Sequence, residues 1–155
     1  MPQITIEYMI MIPILIMQIF LFPLTASLIM NNWVDSRRTI ALQETASHLS
    51  STIQQLYSSL NHATISAGTV TNKLDVPPFI EGYAFSGNAT WRTPSDGKIL
   101  DLTLRLMGAN VEVTASVTLG ENAEWKNSTL MSNSTYAGIN AEKMSNGTIR
   151  LYFGS

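Results

Sequence analysis

The sequence predicts an α+β protein, with a long hydrophobic N-terminal helix followed by an antiparallel β-sheet head domain. Three observations carry this. From Gln3 to Asn32 the only charged residue is Glu7, and most of the others are apolar. From Leu42 to Ala67 apolar residues recur at helical spacing. Beyond Thr69 the apolar period drops to two, the period of a half-buried strand. The 155 residues divide accordingly into two leading residues at 1–2, a hydrophobic assembly or transmembrane helix at 3–34, an amphipathic helix at 35–67, and a β-rich head at 68–155.

The first segment is long enough to cross a bilayer, for which about 20 apolar residues suffice. It does not read as a secretion signal. No basic residue precedes the apolar core, and the core outruns a signal's short hydrophobic region. A passive anchor also fits poorly. Pro13 and Pro23 each remove a backbone donor, at about 3 kcal/mol unless another group takes up the freed carbonyl. Gln18 adds a polar amide. An ionised Glu7 is costly in hydrocarbon and demands a partner. These features suit a helix that kinks or melts locally between the prolines to pack among copies of itself, with Glu7, Pro13 and Pro23 as assembly residues.

The next segment carries a heptad seam. Leu42, Ala46, Leu49, Ile53, Leu56, Leu60, Ala63 and Ala67 fall at spacings of 4, 3, 4, 3, 4, 3 and 4, with polar residues filling most other positions. Such a helix either lies on its own globular domain or covers a β-domain with its inner half while its outer face meets neighbouring copies. A helix from Gln3 to Ala67 would be about 98 Å long at 1.5 Å per residue. Gly68 is the expected C-terminal stop.

The strands follow. Leu100, Leu102, Leu104 and Leu106 alternate with polar residues in Ile99–Met107, and Val111, Val113, Ala115, Val117 and Leu119 do so in Val111–Leu119. Gly108-Ala109-Asn110 joins them as an antiparallel hairpin. Ile149, Leu151 and Phe153 mark a third strand, and Phe79–Ser86, entered through Pro77-Pro78, a fourth. A small sheet with one apolar face needs a cover. Leu49, Ile53, Leu56 and Leu60 are expected to supply it over Leu102, Leu104, Val113 and Val117.

Composition narrows the function. The net charge is −2, and residues 68–155 carry seven basic and eight acidic side chains, so nothing suggests a nucleic-acid partner. The absence of cysteine excludes disulfides, thiol chemistry and Cys-based metal sites. His48 and His62 stand about 21 Å apart along a helix axis, too far to share a metal. Glu121 and Glu124 read as solvated loop residues. No hydrolase elbow, phosphate loop or EF-hand spacing occurs, and the expectation is a protein without enzymatic activity or cofactor. Four N-glycosylation acceptors do occur, at Asn88, Asn127, Asn133 and Asn146, each followed two positions later by threonine. With 11 Asn and 16 Thr in the chain, chance would supply about one. Their restriction to the β-rich part implies that it faces outward. The positive-inside rule would instead hold Arg37 and Arg38 in the cytoplasm, but two arginines are the weaker signal.

The opening Gln3-Ile4-Thr5-Ile6-Glu7-Tyr8 resembles the Gln-x-Ser-x-Glu-Tyr start of archaeal type IV pilin-like proteins, whose precursors carry a class III signal peptide. Thr5 stands where that pattern has Ser, and Pro2 where Gly is common. The resemblance implies a type IV pilin-like fold and cleavage by a prepilin peptidase between Pro2 and Gln3, which makes residues 1–2 a precursor stub. It implies that Glu7 pairs with a neighbouring N-terminal amine. It also implies an extracellular homo-oligomeric filament for adhesion, inserted in the cytoplasmic membrane before the pilus machinery assembles it, with N-linked glycans on the heads. The alternative reading is a monomeric membrane-anchored extracellular domain, such as a surface or motor-associated protein.

Overall fold

The structure, a computed structural model, describes residues 3–92 and 98–154, with side chains from Tyr8 onward. Among the described residues one helix, α1 (Gln3–Leu60), precedes eight strands. They are β1 (Gly68–Lys73), β2 (Phe85–Arg92), β3 (Lys98–Leu106), β4 (Glu112–Leu119), β5 (Ala123–Trp125), β6 (Thr129–Met131), β7 (Gly138–Lys143) and β8 (Ile149–Gly154). The chain divides into two units between Arg37 and Arg38, and α1 contributes to both.

In the N-terminal unit α1 is helical through Pro13 and Pro23. Pro23 has no N–H for the carbonyl of Ile19, and Pro13 none for that of Met9. The Thr25 hydroxyl reaches back one turn, 3.0 Å from the carbonyl of Leu21 and 2.9 Å from that of Phe22.

The second unit has its own core. From Leu42 to Leu60 the helix buries Leu42, Thr45, Ala46, Leu49, Ser50, Thr52, Ile53, Tyr57 and Leu60. At 100° per residue these span an arc of about 160°, wider than the narrow seam of a coiled coil. That breadth belongs to a helix lodged on its own domain. Leu56, expected inside, is only partly buried, and Tyr57 goes inside instead. Its hydroxyl donates to Asn122 Oδ1 at 2.6 Å in the β4–β5 loop.

Two four-stranded sheets complete the unit, ordered β1-β7-β8-β5 and β4-β3-β2-β6. The expected hairpin is present as β3 and β4, with Leu102 opposite Ala115 and Leu104 opposite Val113. The third expected strand is β8, with Ile149, Leu151 and Phe153 buried. Phe153 meets the Trp125 ring edge-on at 4.9 Å. Leu49, Ile53 and Leu60 belong to one apolar cluster with Leu102, Leu104, Val113 and Val117.

Four expectations need correction. The helix ends at Leu60, so Ala63, Ala67 and His62 lie beyond it and are exposed, and Gly68 opens β1 instead of capping a helix. The cause is tertiary. Gly68 pairs with Lys143, so the chain must turn between Leu60 and Gly68. Lys143 also donates to the carbonyl of His62 at 2.9 Å just past the helix end. Two alanines add too little apolar area to hold the helix open against that pairing.

The strand expected at Phe79–Ser86 begins only at Phe85. Glu81 and Gly82 both have positive φ, 48° and 83°, the signature of a tight reversal of the hairpin type. Ile80 and Tyr83 close it with two backbone hydrogen bonds of 2.8 and 2.9 Å. Thirdly, the head is not one antiparallel sheet: β5 runs parallel to β8. Its three residues have no partner next to them in sequence and dock on the last strand of the chain. Finally, Glu124 lies in β5, 3.3 Å from the Arg150 guanidinium, and not in a loop.

Gly87 illustrates how tightly the inner face is filled. It sits in β2 opposite Leu104 on one side and Leu130 on the other. A Cβ there would come within 2.7 Å of Leu104 Cδ2 and 3.2 Å of Leu130 Cβ. Gly87→Ala should therefore destabilise this unit by about 1–3 kcal/mol through overpacking. A lowered denaturant midpoint with an unchanged slope is the expected result, and an unchanged midpoint contradicts this packing.

Candidate functional site

Two features stand out as candidates for function: the apolar part of α1 and the polar surface that carries the glycosylation acceptors. Every large apolar side chain described from Tyr8 to Trp33 is at least 47% exposed. Scattered exposed leucines are ordinary, whereas a contiguous apolar surface of this length marks contact with lipid or protein. The helix is long and apolar enough to cross a membrane by length and composition. Near the end of the run the Arg37 guanidinium lies 4.9 Å from the centre of the Trp33 ring. Pro13 and Pro23 lie within this helix, and Gln18 lines a shallow groove with Leu15, Ile19, Phe22, Pro23 and Thr25.

The processing residues fall at the margin. Pro2 lies outside the described residues, Gln3 is the first residue of α1, and Glu7 follows in its second turn. The side chains of Gln3 and Glu7 are outside the described set. The expected kink or melt between Pro13 and Pro23 concerns the assembled state. In the single chain the helix is unbroken there.

The four acceptor asparagines are all exposed, yet they are not equivalent. Asn127 lies between β5 and β6, Asn133 between β6 and β7, and Asn146 between β7 and β8. At the last of these, Asn146 Oδ1 accepts a hydrogen bond of 3.0 Å from the backbone N–H of Thr148, an Asx-type turn within the acceptor triplet. Asn88 differs, lying inside β2 with Thr103 opposite it on β3 and Thr129 on β6. Thr129 is itself the threonine of the Asn127 triplet. Two acceptors distant in sequence therefore share one patch of surface, which only strand register reveals.

The outward face of this sheet is polar. Thr103 and Thr114 are cross-strand partners with hydroxyls 3.2 Å apart. Arg92 donates to both carboxylate oxygens of Asp101 at 2.7 and 2.6 Å, and the Ser116 hydroxyl adds a third bond of 2.6 Å. The hydrogen bond from Arg92, then that from Ser116, holds the Asp101 carboxyl below its ordinary range. More than half of the Arg92 side chain is exposed, so the pair fixes local geometry and adds little to stability. His48 lies on α1, while His62 has Nδ1 2.8 Å from Thr64 Oγ1 in the turn beyond it. Among the described residues no group of three or more His, Cys, Asp or Glu is placed to hold a metal ion. No known family matches the chain, and neither does any curated protein or solved structure.

Proposed function

We propose that this chain is the structural subunit of an extracellular filament of the archaeal type IV pilus kind, polymerising through its N-terminal helix and serving adhesion. The observation that carries the reading is the exposed apolar surface of α1 from Tyr8 onward, joined in one chain to a unit with its own buried core. Stacking many such helices removes that surface from water at about 25 cal/mol per Å². The mechanism of the protein is then packing. In this reading a prepilin peptidase cuts between Pro2 and Gln3, the pilus machinery draws the subunit from the cytoplasmic membrane, and Glu7 pairs with the amine of a neighbouring Gln3. The β-sheet units face outward and carry N-linked glycans on some of the acceptors at Asn88, Asn127, Asn133 and Asn146. The opening Gln3-Ile4-Thr5-Ile6-Glu7-Tyr8 supports this reading at the level of resemblance.

A second reading has its own support. Trp33 and Arg37 at the end of the apolar run have the character of an interfacial anchor, which suits a single copy held in a bilayer. Electron microscopy of material purified from cell surfaces decides between the two. Filaments with a core of parallel helices are the expected result. Dispersed detergent-solubilised single copies, with no filaments under any growth condition, would favour the anchored domain.

A further inference from the structure

We propose that Gln18 is the donor of an intersubunit hydrogen bond to the Ile19 carbonyl of a second copy of this chain, and that this bond fixes the axial stagger between neighbouring helices. The inference rests on the filament reading and adds to it a residue, an acceptor and a geometry.

The acceptor is set by covalent structure. With the helix kinked at the prolines but not melted between them, the carbonyl of residue 19 would take the N–H of residue 23, and residue 23 is proline. The donor is on the same surface, since Gln18, Ile19 and Pro23 line one groove. Gln18 makes no hydrogen bond to any described residue, whereas Thr25 in the same groove satisfies its hydroxyl within its own helix. A side-chain amide and an orphaned carbonyl in an apolar environment each need a partner.

Gln18 is poorly placed to serve its own helix. Helical side chains lean toward the N-terminus, while carbonyls point toward the C-terminus, so the amide moves away from the Ile19 oxygen. The same directions exclude two helices in strict register, because donor and acceptor then diverge on both. Shifting one copy toward the C-terminal end by about one turn, roughly 5.4 Å, brings its Gln18 amide down onto the neighbour's freed carbonyl. The Met9 carbonyl, freed by Pro13, lies about 15 Å nearer the N-terminus along the axis and is out of reach of the same contact.

The stagger has a consequence for assembly. A parallel two-fold pair has no axial shift and so cannot make this contact. Each copy gives its amide to one neighbour and its carbonyl to another. Such a head-to-tail contact does not close on itself in pairs and propagates as an open helical array. Among parallel helices the groove at Pro23 thus serves filament neighbours and not a two-fold dimer.

The test is a double-mutant cycle on the full chain with Gln18→Leu, Pro23→Ala and both together. It is read as the critical concentration for filament formation, with the melting of the β-sheet unit as a folding control. Gln18→Leu should raise the critical concentration about fivefold or more. In the Pro23→Ala background Gln18→Leu should no longer raise the critical concentration, because that substitution restores a backbone N–H at position 23 to occupy the Ile19 carbonyl and leaves the Gln18 amide without its acceptor. Unchanged assembly of Gln18→Leu, or fully additive effects, overturns the contact while leaving the filament reading intact. A wild-type chain that stays single-copy and never forms filaments overturns both.

Discussion

Ile53→Ala should lower the melting temperature of the β-sheet unit by on the order of 10 °C. Ile53 is fully buried, in one cluster with Leu49, Leu102, Leu104 and Val113. Removing three carbons there loses their transfer energy and leaves a cavity, about 2–5 kcal/mol in total. A domain of ordinary stability, about 5–15 kcal/mol, feels such a loss strongly. No disulfide backs it up, since the chain has no cysteine. Leu56→Ala is the internal control. Leu56 is only partly buried, so its truncation should cost clearly less, although both residues belong to the same heptad seam. Circular dichroism melts of the two variants check this. Equal shifts would show that the buried arc of α1 is wrongly placed, and no shift for Ile53→Ala would assign the seam to contacts between copies.

Glu7→Ala should abolish or strongly reduce filament formation while leaving the melting of the β-sheet unit unchanged. Glu7 is the only charge between Gln3 and Asn32, and an ion in a packed apolar array survives only with a partner. In the filament reading that partner is a neighbour's N-terminal amine. Deleting the carboxylate leaves the amine buried and unpaired, a loss of about 3–5 kcal/mol per contact. Glu7→Gln separates charge from hydrogen bonding. It keeps polar reach but removes the ion pair, and should assemble poorly as well. Filament yields of Glu7→Ala equal to wild type would remove this residue from the assembly mechanism.

Part of the molecule is legible residue by residue. The apolar run up to Met30 announces itself by its length and near-absence of charge, and the β3–β4 hairpin and β8 by a period of two. Helical spacing from Leu42 to Leu60 likewise marks a face of α1 that is buried. The acceptor triplets are visible as strings of residues, though not their setting. Nothing in Asn88-Ala89-Thr90 indicates a strand paired on both sides, or that Thr129 lies across from Asn88.

What tertiary structure alone decided are the features in which distant segments compete for the same backbone groups. The heptad pattern continues through Ala63 and Ala67, but the pairing of Gly68 with Lys143 ends the helix at Leu60. The apolar residues Phe79 and Ile80 favour a strand, but the reversal at Glu81-Gly82 delays it to Phe85. The three residues of β5 acquire strand geometry only from the parallel edge of β8. The choice of Tyr57 over Leu56 as a buried residue coincides with a hydrogen bond to Asn122, which lies 65 positions away. Local period thus determined which elements are apolar and on which side. Their ends, their pairing and the second sheet depended on long-range hydrogen bonds, because a backbone donor or acceptor taken by a remote strand is no longer available to the helix or turn that local preference would build.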